Sequence, residues 1–255
     1  MATIRVKGMH ASLVRDGALD EVAVEEPLEV RVGGRALSVT MRTPGHDEEL
    51  ALGFLYGEDL IDADPARAVG PSPGLELNRV DVAGPLLRDP GERHFYTSSS
   101  CGVCGKGAIE QVTVATPRAT PGPRVARPLL AGLPQRLRQP AFERTGGVHA
   151  AGLFTAEGEP VCVREDVGRH NAMDKLVGRA LLDGRLPLHG MLVCVSGRLS
   201  FELVQKAARA GAPVLVGVSA PTSLAVTLAD DRGMTLCGFA RGDRVNVYTG
   251  PERVV

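Results

Sequence analysis

Hydrophobic and polar positions fall into two regimes along this chain. Up to about residue 40, apolar and charged residues alternate in short runs, as in "EVAVEEPLEVRVGGRALSVT" at 21–40. That is the period of half-buried strands, and Val32-Gly33-Gly34 marks a turn between two of them. Residues 43–61, "TPGHDEELALGFLYGEDLI", switch to helical spacing, with Leu50, Phe54 and Leu55 as the apolar stripe. Thr43 is the expected N-cap, Pro44 suits the first turn, and Asp47, Glu48 and Glu49 complement the positive end of the helix dipole. Residues 76–83 and 92–97 read as strands, the second weakened by Glu92, Arg93 and His94. A small-residue loop, "SSSCGVCGKG", follows.

Six prolines at 117, 121, 123, 128, 134 and 140 then interrupt any sustained pattern, although "LLAGLPQRL" has room for a short helix. Such composition predicts a linker or crossover. Beyond it the periods alternate. "VHAAGLF" and "PVCVRED" read as strands meeting at a turn through Glu157–Gly158, and residues 170–182 as a helix. "MLVCVSG", "PVLVGVS", "MTLCGFA" and "RVNVYTG" read as strands, with helices at 200–210 and 222–231. The pattern predicts an α/β protein: a smaller β-rich α+β domain over 1–120, a Pro-rich linker over 121–140, and a C-terminal α/β/α domain with a mixed sheet over 141–255.

Charge changes the picture by exclusion. The 255 residues carry 29 basic and 30 acidic side chains, a net charge of −1, few aromatics and no Trp. Neither bulk electrostatics nor an aromatic platform favours nucleic acid, and nothing draws the chain to a membrane surface. No apolar run approaches the ~20 residues of a membrane span, and the N-terminus carries no signal-like segment. Five cysteines make no disulfide framework, so the reducing cytoplasm is the expected compartment. All but four of the basic residues are arginines, guanidinium forks able to grip phosphate bidentately.

Cys101 and Cys104 form a CxxC flanked by Ser98, Ser99, Ser100, Gly102, Gly105 and Gly107, with Lys106 nearby. A thiolate near a cation is a nucleophile, and an uncrowded arm suits a cysteine that visits two partners. From spacing alone half of a structural zinc site is the leading reading of the same CxxC, ahead of redox or sulfur chemistry and of no special role. His46-Asp47-Glu48 fits the H-x-E of zinc-dependent nucleobase deaminases, in which a CxxC completes the metal site, but Ser100 stands where their proline is expected. Cys162, Cys194 and Cys237 lie in apolar strand-like runs and read as core.

In the C-terminal half, small and hydroxyl residues end several strands: Ser196-Gly197-Arg198, Ser219 to Thr222, and the turn around Phe239, Ala240, Arg241 and Gly242. Ligands of open α/β sheets collect at such ends, and Arg198 and Arg241 add charge; ordinary capping by Ser196 and Thr222 is the alternative. His149 lies in an apolar run. Around the next helix start gather Arg164, Glu165, Asp166, Arg169, His170, Asn171, Asp174 and Lys175, with Asp166 a possible cap and Asp174 a helical-spacing partner for His170 or Asn171.

Together, "TPGHDEELALGFLYGEDLI", "FYTSSSCGVCGK", "TGGVHAAGLF", "REDVGRHNAMDKLVG", "VSGRLSFELVQKAARAG", "SAPTSLAVTLA" and "GFARGDRVNVYTGPERV" resemble the formate dehydrogenase accessory sulfurtransferase (FdhD) family, in the family's order from about Glu26 to Val254. The resemblance implies that a cysteine desulfurase loads sulfur onto Cys101 as a persulfide, with Cys104 beside it. That sulfur would pass to the molybdenum of a bis(molybdopterin guanine dinucleotide) cofactor, bound as substrate, for the formate dehydrogenase apoenzyme. Phe239, Ala240, Arg241, Gly242, Asp243 and Arg244 match the family's cofactor segment, to which the residues above add Ser196, Gly197, Arg198, Ser219 and Thr222. The resemblance also implies a cytidine-deaminase-like C-terminal domain, without resident metal. A zinc deaminase-like enzyme and a non-catalytic cofactor chaperone are the alternatives. The sequence sets no oligomeric state and allows a homodimer.

Overall fold

The computed structural model describes residues 5–15, 18–71, 78–89, 96–97, 116–119 and 122–255. The N-terminal alternation becomes two sheets. β1 (Arg5–Lys7), β2 (His10–Arg15) and β3 (Ala18–Ala23) form an antiparallel meander. β4 (Glu26–Val32) and β5 (Arg35–Arg42) form a hairpin closed by Gly33 and Gly34, at φ 56° and 80°, where only glycine sits without strain. α1 (Asp47–Gly57) follows. β6 (Val69–Pro71), β7 (Arg79–Val82) and β8 (Tyr96–Thr97) complete a mixed five-stranded sheet in the order β6-β7-β4-β5-β8. Leu28, Val30 and Val32 alternate inward along β4, as the period of two requires.

The C-terminal half begins with α2 (Arg127–Gly132) and α3 (Pro140–Thr145), then β9 (His149–Phe154), β10 (Pro160–Asp166), α4 (Arg169–Leu182), β11 (Leu192–Val195), α5 (Phe201–Arg209), β12 (Val214–Gly217), α6 (Ser223–Asp231), β13 (Thr235–Arg241) and β14 (Arg244–Thr249). Its six-stranded sheet has the order β10-β9-β11-β12-β13-β14, parallel through β11, β12 and β13 and antiparallel elsewhere. β11 and β12 are buried along their whole length, so their apolar runs are continuous rather than alternating. Leu192, Cys194, Val214 and Val216 pack with Leu130 and Leu133 on one face. Val193, Val195 and Leu215 pack with Met173, Leu176, Leu203 and Ala225 on the other. The mixed α/β architecture is therefore the expected one.

α1 binds the two halves together. Leu50, Leu52 and Leu55 of α1 share one core cluster with Leu28, Val30, Val80 and Val82 of the five-stranded sheet and with Met173, Leu176 and Val177 of α4. The two helices touch backbone to backbone. A Cβ at Gly53 would lie 1.8 Å from the Asp174 carbonyl oxygen, and one at Gly178 would lie 1.8 Å from that of Glu49. No side chain fits either position.

One expectation is revised, and one element was not foreseen. Thr43 does not cap α1; it is buried, and its N–H and Oγ1 bond to Asp166 and Val167 across the molecule. The N-cap is His46, in the left-handed region at φ 58° and without a side-chain cap bond. α3 has no counterpart in the hydrophobic pattern, because a six-residue helix with Pro140 at its start is too short to show a period. Of 92–97, only Tyr96–Thr97 lies among the described residues, and it is a strand.

The Gly53–Gly178 crossing makes a direct prediction. Gly53→Ala or Gly178→Ala should cost about 3 kcal/mol or more in urea unfolding, because the helices must separate. Gly132→Ala, with nothing within 4 Å of the added carbon, should be neutral or stabilising by up to about 1 kcal/mol. Equal effects at the three glycines would contradict the contact.

Candidate functional site

The carboxyl ends of β11, β12 and β13 open onto one cavity of about 520 Å³, a size suited to a small-molecule ligand and the place where open α/β sheets bind them. Its lining includes Gln139, His149, Ser196, Val218, Ala240 and Arg241. Ser196 fixes the geometry at one end: its Oγ accepts the Ala150 N–H at 2.8 Å and its own N–H donates to the Ala150 carbonyl at 2.9 Å. The start of β9 is thereby clamped to the end of β11, and His149 stands beside Ser196. A Cβ at Gly197 would lie 3.5 Å from His149 Nδ1 and 3.9 Å from Arg169 Cδ, so the imidazole and the Arg169 stem flank that glycine. Burial, then the charges of Arg169, His170 and Arg198, lower the His149 pKa against the opposing pull of Asp166. The ring is neutral at physiological pH.

A buried polar layer fixes this rim from beneath. Lys175 Nζ pairs with Asp166 Oδ2 at 2.7 Å, both side chains fully buried, and donates to the Thr43 carbonyl at 2.8 Å. Asp166 accepts further bonds from the N–H groups of Thr43 and Gly168 and from Asn171 Nδ2. Such saturation is what makes a buried ion pair tolerable. His170 Nε2 pairs with Glu202 Oε2 at 2.8 Å and lies 3.4 Å from Ser200 Oγ. Burial opposes ionisation of Glu202, but the His170 bond and the charges of His170, Lys206 and Arg169 outweigh it and hold the carboxyl below its usual range. Asp174 pairs with Lys206 at 2.6 Å, not with His170 or Asn171. Glu49 of α1 receives both arms of Arg164 of β10, at 2.5 and 2.7 Å. Burial would raise its pKa, yet Arg164 and His46 bring it down to about 2.

The residues singled out from sequence distribute unevenly. Ser196, Ala240 and Arg241 line the cavity. Gly197 borders it through His149, and exposed Arg198 acts electrostatically on the same ring. Ser219 contributes its carbonyl, which accepts the Phe239 N–H at 3.2 Å and joins the ends of β12 and β13. Thr222 Oγ1 caps α6 through the Ala225 N–H, whereas Ser196 caps nothing and the α5 N-cap is Ser200. Phe239, at φ 53° and 48% exposed, starts a turn through Gly242 with Asp243 and Arg244 open to solvent. His149, Arg169 and Gln139 were not among the sequence candidates for ligand binding, though His149 was legible as a polar residue in an apolar run.

Cys101 and Cys104 lie outside the described residues. The strand that precedes them does not: Thr97 pairs with Thr40 of β5, and Thr40 Oγ1 donates to Asn171 Oδ1 at 3.4 Å in the first turn of α4. On the far side of the segment, Arg232 Nη1 donates to the Thr116 carbonyl at 2.9 Å. Cys162, Cys194 and Cys237 are free. Burial pushes all three thiols up, Cys237 to about 12, so none is a ready thiolate. In the H-x-E motif, His46 bonds Glu49 while Glu48 is exposed. Among the described residues no helix is long and apolar enough to cross a membrane.

Fold and site define a mixed-sheet α/β protein with a cavity, lined by His149 and Arg241, at the carboxyl ends of its parallel strands. Over residues 23–255 the chain matches the FdhD/NarQ family, and it belongs to that family. It is 50% identical over 246 residues to "Sulfur carrier protein FdhD" from Nocardia farcinica, covering 92% of this chain and 88% of that one. The protein of the same name from Streptomyces avermitilis is 52% identical over 261 residues, with 94% and 93% covered. That from Sulfolobus acidocaldarius is 43% identical over 257 residues, with 98% and 99% covered. A crystal structure of a protein described as a formate dehydrogenase accessory protein, from Desulfotalea psychrophila, superposes with a TM-score of 0.78 at 27% identity over 100% of this chain and 99% of that one.

The Glu49–Arg164 bridge gives a pH test. A carboxyl depressed from 4.5 to about 2 stabilises the fold above its unfolded pKa, and the contribution is lost as pH falls through the folded value. Glu49→Gln should therefore cost about 2 kcal/mol near neutrality, with the gap to wild type closing as pH falls toward about 2. A gap independent of pH would remove the bridge from the account.

Proposed function

We propose that this protein is a sulfur carrier in the maturation of formate dehydrogenase. The observation that carries the reading is end-to-end likeness to proteins named sulfur carriers, joined to a cavity suited to an anionic ligand. Cys101 is the persulfide-forming nucleophile. Its thiolate attacks the outer sulfur of a cysteine desulfurase persulfide; a new S–S bond forms on Cys101 as the donor's S–S bond breaks, and the desulfurase cysteine leaves as a thiolate. Cys101 follows Thr97 by four residues in the sequence, and Thr97 lies in β8 beside β5. Thr97 is linked through Thr40, Asn171 and Asp166 to His149 of the cavity lining.

The cavity receives a phosphate-bearing guanine nucleotide end of the molybdenum bis(molybdopterin guanine dinucleotide) cofactor, which binds as substrate. Arg241 and Arg198 meet its phosphates, and the turn from Phe239 to Arg244 with Ser196, Gly197, Ser219 and Thr222 shapes the site. The carried sulfur becomes a sulfido ligand of the metal, taking the two electrons of the transfer from the metal centre, and Cys101 returns as a thiolate. Residues 1–120 thus carry the persulfide cysteine and 141–255 the cofactor site, with α2 of the intervening 121–140 segment packed into the core of the C-terminal half. The reaction belongs in the cytoplasm, where thiols stay reduced.

Two experiments test the reading. Calorimetry with GDP should show binding to wild type and roughly ten- to a hundredfold weaker binding to Arg241→Ala, the loss of one charge-assisted phosphate bond; unchanged affinity would remove Arg241 from the site. Cysteine variants assign the sulfur. Cys101→Ser should neither load sulfur from a desulfurase nor restore formate dehydrogenase activity in a deletion strain. Cys104→Ser should load, with a longer-lived persulfide, because a thiol three positions away can attack the inner sulfur and release sulfide. The reverse pattern would exchange the two roles.

A further inference from the structure

His149 has no part in the reading so far. We propose, resting on the assignment of the cavity as the cofactor site, that His149 joins Arg169 and Arg198 in a subsite for a phosphate-type oxyanion at the β9 end of that cavity. Four observations carry this. His149 lines the cavity together with Ser196 and Arg241, and among the described residues the lining contains no carboxylate. Among the described residues the imidazole has no hydrogen-bond partner, although it is half-buried. The ring and the Arg169 stem converge on Gly197, whose missing side chain leaves the space between them open. The acidic group that acts on the ring, Asp166, is already occupied by Lys175, Asn171, Thr43 and Gly168.

The groups facing His149 are Arg169 and His170 from α4, Arg198 from the turn after β11, Asp166 from β10, and Arg241 in the same cavity lining. Burial and the surrounding cations keep the empty imidazole neutral. A bound phosphate cancels that field and accepts a hydrogen bond from the ring, so His149 takes up a proton as the anion arrives. Linkage fixes the sign: affinity rises as pH falls through the pKa of the complexed ring and levels off below that of the free ring. The ring is then a reporter of occupancy as well as a ligand.

The test uses the full chain with GDP, inorganic phosphate and guanosine as separate probes. NMR of the histidine Cε1–H signals, six in all, follows each titration, and His149→Asn assigns its own. Calorimetry of GDP in two buffers of different ionisation heat counts protons. GDP and phosphate should both move the His149 signal toward its protonated position, guanosine should not, and wild type should take up a proton. His149→Asn should take up none and bind GDP roughly tenfold more weakly at about pH 6. If GDP binds while the His149 signal stays still, the subsite is wrong and the cofactor site survives. If guanosine alone moves the signal as GDP does, the ring reads the base and the proposal fails. If phosphate protonates His149 but GDP does not bind, the subsite stands and the cofactor reading falls.

Discussion

The structure depends on one buried ion pair. Lys175 and Asp166, both without solvent exposure, join three places far apart in the chain: the corner after β5 through Thr43, the end of β10, and the first turns of α4. Taking two charges out of water is costly, and the cost is offset only when every remaining donor and acceptor is satisfied. Here the Thr43 backbone, the Gly168 N–H and the Asn171 amide satisfy them. The same bonds hold the corner after β5 against α4 and β10, and β8 pairs with β5 beyond them.

Around that pair the two halves are packed rather than tethered. The backbone contact at Gly53 and Gly178 lets α1 lie directly on α4, and the bridge from Arg164 to Glu49 bolts the first turn of α1 to β10. A sulfur carrier must present one nucleophile to a donor and then to an acceptor in a reproducible setting. Rigidity therefore belongs in the scaffold, and the three cysteines of that scaffold are chemically quiet, their thiols raised by burial.

Much of this was legible in the sequence, and the remainder was hidden for physical reasons. β9 to β14 and α4 to α6 could be read because Gly and Pro punctuate runs whose period is set by burial on one or both faces. Ser196 and Arg241 could be placed at strand ends because that rule is topological. Thr43 could not. Its hydroxyl looked like a cap by local chemistry, but its partner lies 124 positions away at Val167. A shorter separation, 32 positions, was still enough to conceal the pairing of His170 with Glu202 and of Asp174 with Lys206. His149 stood out as polar among apolar neighbours, yet its cationic surroundings come from α4 and from the turn after β11. No local pattern shows those. The likeness that named the family rested on motif order, which carries function across such gaps without explaining the contacts.

The measurement that separates a carrier from a chaperone follows the sulfur atom itself. Protein loaded with isotopically labelled sulfur from a desulfurase, freed of donor, is mixed with unsulfurated cofactor and formate dehydrogenase apoenzyme, with unlabelled sulfide in solution. The account predicts that label leaves the Cys101 peptide and appears in the enzyme in step with the gain of activity. Activation with unlabelled sulfur while the label stays on the protein would contradict it.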